Sequence, residues 1–143
     1  MGYRSEVAGL VYGEEKKVDE YLALHKVKYG DKNILEIYPE NDDPNDLWLN
    51  GISITTEPRQ EFGGEGEPPK QVKYKFIKLY GSDWKWYDTY EDVITWDDFM
   101  RGAEGFGLEY EFARVGEEVK DIEQSYSENA EHLLYVSSSI GMA

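Results

Sequence analysis

The chain has no cysteine. That excludes disulfides, thiolate metal sites and a cysteine nucleophile, and it fits a reducing compartment. No apolar run is long enough to span a membrane, and no signal-like apolar stretch follows the first residues, so a cytoplasmic protein is expected. Bases are scarce: 15 Lys and Arg face 30 Asp and Glu, a formal charge of -15. A basic footprint for direct nucleic-acid binding is therefore missing. The two histidines, His25 and His132, sit in no recognisable motif, and GxSxG, HExxH, Walker A and GxGxxG are all absent. Among so many carboxylates a close pair carries no information about acid–base catalysis. Asp42, Asp43 and Asp46 have the composition of a calcium loop without its spacing, because Pro44 interrupts them. No metal, cofactor or catalytic residue is expected, so the protein reads as a non-enzyme.

What is present is a chain of 143 residues, a single-domain length, with 12 Tyr and 4 Trp. That aromatic content argues against disorder despite the charge. Residues 3–13 read as a strand rich in Val, Leu and Tyr. From Glu14 the period changes: Val18, Tyr21, Leu22 and His25 share one helical face, acids open the segment, and Lys26 and Lys28 close it before Gly30. His25 falls on the apolar face, as a packing residue. Residues 34–39 read as a short strand ended by Pro39, 41–46 as a turn, and 47–57 as strand again. Residues 58–70, with three prolines and three glycines, read as a flexible hairpin loop outside any ladder.

From residue 71, Val72, Tyr74 and Phe76 alternate against Lys73 and Lys75 in another strand. Thr89 to Asp92 has capping-box geometry, and Val93, Trp96 and Met100 continue a second helix. Leu108, Tyr110 and Phe112 alternate against Glu109, Glu111 and Ala113 in a half-buried strand. Residues 117–132 read as an acidic loop or short helix, and 133–141 as one final strand. The expected fold is α+β: a mainly antiparallel sheet of five to six strands with two helices on one face and the other face solvated. A ferredoxin-like arrangement is the nearest common superfold. One domain covers 1–143.

Three segments, MGYRSEV (1–7), DWKWYDTYEDV (83–93) and FARVGEEVKDIE (112–123), resemble a loose set of small acidic proteins of bacteriophages and prophage regions. In that set a Gly-Tyr-Arg-Ser strand, a Lys-Trp-Tyr turn into a helix and an Arg-x-Gly-Glu strand end recur in this order. The resemblance implies an order of elements and a life in a host cytoplasm, and little about activity. Residues 31–71 have no counterpart in it.

Two features point outward. Trp84, Trp86, Tyr87, Tyr90 and Trp96 crowd thirteen positions; Trp86 and Trp96 are expected in the core, while Trp84, Tyr87 and Tyr90 are left to a stacking or docking role. Residues 80–131 hold 15 acids and 4 bases, against 15 and 11 in residues 1–79, so the excess charge is concentrated in the later segment. The expected function is capture and inhibition of a basic host protein, a nuclease, transcription or defence component, by nucleic-acid mimicry. Asp88, Glu91, Asp92, Asp97 and Asp98 would imitate phosphates, and Trp84, Tyr87 and Tyr90 would supply the apolar anchor. The alternative is a protein that sequesters a nucleotide or signalling ligand, with Arg4, Lys73 or Lys75 meeting its phosphate.

Overall fold

The computed structural model describes residues 5–38, 40, 51–87, 89–117, 121–136 and 140–142. Strand β1 (Ser5–Glu14) leads into helix α1 (Glu15–Tyr29), a 3-10 turn at Gly30–Lys32 and the one-turn helix α2 (Ile34–Ile37). Strands β2 (Gly51–Glu61) and β3 (Lys70–Trp84) form a hairpin, helix α3 (Glu91–Gly105) follows, and β4 (Glu109–Gly116) and β5 (Ile122–Tyr126) close the sheet. The order is β2-β3-β1-β4-β5, every neighbouring pair antiparallel. The fold is α+β. Through β4 it has the βαββαβ connectivity and strand order of a ferredoxin-like arrangement, and β5 extends one edge. Strands β6 (Leu134–Val136) and β7 (Ile140–Met142) form a separate two-stranded antiparallel pair, joined to no other strand among the described residues.

Strand β1 reads as an unbroken apolar run because it is central and covered on both sides. Val7 and Val11 meet Ile77, Leu79, Tyr110 and Phe112 on the helix side, where Val18 and Leu22 of α1, Ile34 of α2, and Trp96, Phe99 and Met100 of α3 complete the core. Ala8, Leu10 and Tyr12 face the other way with Phe76 and Ala113, under Leu133 and Leu134. The expected solvated face is therefore wrong. The C-terminal segment crosses it, and Glu111 beneath is fully buried, accepting from the Tyr12 hydroxyl at 2.7 Å and the Leu134 N–H at 2.9 Å.

Five further expectations are corrected. Residues 34–37 are helical, because the Asn33 side chain accepts from Leu35 N at 2.9 Å and His25 Nε2 accepts from Ile34 N at 3.0 Å, satisfying the first turn. Pro58 to Glu61 belong to β2, paired with Lys73 to Lys70, so the connecting loop is only 62–69; β2 is an edge strand, where proline is tolerated. The residue capping α3 is Tyr90 without a side-chain bond, and Asp92 instead accepts from its neighbour Val93 N at 2.9 Å. The acidic stretch 117–132 contains β5. The expected final strand is two short ones. The expected turn at 41–46 lies outside the described residues. Among those described, no helix is long and apolar enough to cross a membrane.

Candidate binding cleft

Helix α3 turns Val93, Trp96, Phe99, Met100 and Ala103 into the core, which leaves Tyr90, Ile94, Asp97 and Arg101 as its outer stripe at i, i+4, i+7 and i+11. Between that stripe and strands β4 and β5 lies a cleft of about 520 Å³. Its sheet wall is set by alternation: Phe112 and Arg114 share the helix side of β4 with Glu123 of β5. Trp86 and Tyr87 enter from beyond β3, where the register with β1 slips between Ser5/Trp84 and Val7/Gly81. Rings form its apolar lining. Trp86 packs on Phe112 with centroids 6.0 Å apart, and Trp96 is fully buried behind, its indole N–H without a partner.

The charges around this lining are unequal. Arg114 donates Nη1 and Nη2 to Asp121 at 3.1 and 2.8 Å, Nη1 to Ser5 Oγ at 3.2 Å and Nε to Glu123 at 3.2 Å. The Asp121 carboxylate foremost raises the pKa of that guanidinium, so it is held charged and engaged. Arg101 donates Nε to both oxygens of Asp97, at 2.9 and 3.1 Å, one helical turn away. Three carboxylates thus line the cleft with two guanidiniums.

The expected site residues divide around the start of α3. Tyr87 and Asp97 line this cleft; Tyr90, Glu91 and Asp92 line a second opening of about 510 Å³ toward Lys32 and Ile37. The Tyr87 and Tyr90 rings meet edge-on between the two, centroids 5.1 Å apart. Trp84 is committed to packing, edge-on to Tyr38 at 5.6 Å and to Trp86 at 5.2 Å. Glu91 pairs with Lys32 at 2.9 Å. Asp98 turns away from the cleft toward α1, accepting from Lys28 at 3.1 Å and from the Tyr29 hydroxyl, which foremost holds its carboxyl below the usual range. Asp88 lies outside the described residues, as does Arg4.

Of the residues expected to meet a phosphate, two are described. Lys73 stands opposite Pro58, and Lys75 pairs with Asp19 of α1; neither lines either opening. His25 is buried, accepts the Ile34 N–H, and desolvation lowers its pKa to about 4, so it serves as a neutral acceptor. Asp42, Asp43 and Asp46 are outside the described residues, among which no group of three or more metal-ligating side chains is placed to hold an ion.

Sequence reasoning missed Ile94, Arg101, Arg114, Asp121 and Glu123. Ile94 and Asp97–Arg101 were visible as helical spacings. The convergence of Arg114, Asp121 and Glu123 depends on β5, which periodicity did not show. No protein-family model, curated protein or solved structure matches the chain.

Proposed function

We propose that this protein is a non-catalytic binding protein that captures a basic protein partner in the cleft between α3 and β5. One observation carries this reading: the cleft combines an aromatic lining with three carboxylates, while its guanidiniums are already engaged by those carboxylates. A lysine or arginine of a partner would stack on Trp86 or Tyr87 and compete for Asp97 and Glu123. Those acids are half-exposed, and exposed ion pairs are worth little, so exchanging one base for another costs little. Ile94, 52% exposed, and Tyr90, 43% exposed, supply the apolar contact. In this reading the charge of residues 80–131 steers a positive surface toward the cleft and then occupies it, which inhibits whatever that surface binds. The resemblance to phage and prophage proteins makes a host nuclease, transcription or defence component the natural target.

Affinity capture from a bacterial lysate tests the reading when run in parallel with the variant Asp97→Asn/Glu123→Gln. Basic proteins should be retained by the wild type, lost from the variant, and released by duplex DNA or high salt. Retention that ignores both salt and the two substitutions would reject it. A nucleotide or signalling ligand is supported by cleft volume alone, since an anion would have to displace Asp121 from Arg114. Thermal-shift measurements with nucleotides are expected to show no stabilisation.

A further inference from the structure

Strand β5 ends the sheet, and the hydrogen-bond phase of the β4–β5 ladder shows which of its groups are used. Ser127 N donates to Tyr110 O at 3.0 Å, and Gly116 N donates to Asp121 O at 2.8 Å. In an antiparallel pair such bonded positions alternate, so Glu123 and Ser125 bond inward to β4. Ile122, Gln124 and Tyr126 therefore direct N–H and C=O away from the sheet, with no strand paired to them among the described residues. The opposite edge is guarded: Pro58 removes a donor from β2, and Glu40 bridges Ile52. The β5 edge has no proline and carries an exposed Ile122.

We propose that an extended peptide segment adds as a sixth strand alongside β5, alternating basic residues toward the α3 cleft with apolar residues on the opposite face. This rests on the reading of the cleft as a site for a basic partner and specifies how the partner binds. Geometry dictates the alternation. Side chains beside Glu123 and Ser125 project to the helix side, where the half-exposed carboxylates of Asp97 and Glu123 can exchange their present guanidinium partners for an incoming base. Side chains beside Ile122 and Gln124 project to the other face, where Ile122 offers apolar contact. Backbone pairing supplies affinity independent of side-chain identity, and the cleft supplies selection for charge.

The test uses the full chain, a synthetic peptide of about ten residues alternating lysine with valine, and poly-lysine as a charged probe with no strand preference. Saturating peptide should slow amide exchange at Ile122, Gln124 and Tyr126, followed by NMR. Gln124→Pro removes an outward donor without touching the β4 ladder; it should leave the melting temperature unchanged and weaken the peptide by about tenfold. Peptide binding with no protection of the three amides and no loss in Gln124→Pro would overturn strand addition while leaving the basic-partner reading intact. Binding of poly-lysine but not the peptide would do the same. Failure of both probes would overturn both.

Discussion

At the scale of single residues, close approach sets the strongest constraints. A Cβ on Gly9 would lie 2.6 Å from Trp96 Cζ2, so the absence of a side chain on the central strand is what lets the α3 indole approach the sheet this closely. Gly9→Ala should destabilise by about 1–3 kcal/mol through overpacking, read as a lower urea midpoint with an unchanged slope. Because Trp96 also lines the cleft, the same variant should weaken partner capture. Glu111 sets a second constraint from the other face. Its two oxygens serve Tyr12 and the Leu134 N–H, and the Tyr12 hydroxyl in turn accepts from Glu131 N at 2.8 Å. Glu111→Ala would strand two buried donors and is expected to cost about 2–4 kcal/mol. Faster limited proteolysis after residue 130, ahead of global unfolding, would show that this carboxylate fastens the C-terminal segment.

At the scale of elements, the β2–β3 hairpin separates ladder from loop. Its last pair is Glu61 with Lys70, and the connection turns through Gly64 to Glu67, with Gly66 at φ +89° where other residues are strained. Replacing 62–69 by Asn-Gly should preserve the ladder and change stability by less than about 1 kcal/mol. A deletion reaching Arg59 should cost more, because that guanidinium packs over the Tyr74 and Phe76 rings and pairs with Glu131. A melting temperature that falls equally in both variants would show the loop itself to be packed. The elements legible in the sequence were those with one clean period: α1, with Gly30 at φ +58° ending it, and the alternating β3 and β4. Short segments misled. The Ile34–Ile37 run has strand composition, and only the long-range acceptor His25 and the Asn33 cap make it a helix. Strand β5 has acidic, weakly alternating composition because as an edge strand it buries little. Of the aromatics crowded at 84–96, Trp86, Tyr87 and Trp96 line the cleft and Trp84 and Tyr90 do not, and the consecutive acids Asp97 and Asp98 diverge around α3, the first toward the cleft and the second toward α1.

At the scale of the whole molecule, the charge is organised rather than spread. Lysines at the end of α1 and in the turn after it tie to acids on α3, Lys28 to Asp98 and Lys32 to Glu91, so the two long helices carry opposite partial surfaces within an acidic protein. His25 sits between those helices, its ring edge-on to Phe99 with centroids 4.7 Å apart, its Nε2 holding the start of α2. Burial lowers its pKa from 6.5 to about 4, so the unfolded chain takes up a proton at a pH where the folded one does not. The stability it contributes is complete above pH 6.5, falls as the pH drops from 6.5 to 4, and changes no further below that. A shift of this size corresponds to a loss of up to about 3 kcal/mol across the window. The depressed Asp98 carboxyl acts lower: its contribution is present above the ordinary carboxylate range and disappears as the pH falls below it. The two groups are thus separable. Urea midpoints measured from pH 8 to 4 should decline in the wild type and stay nearly level over that range in His25→Gln, whose amide can accept the Ile34 N–H without charging. Parallel declines in both proteins would assign the acid sensitivity to carboxylates and remove His25 from the account.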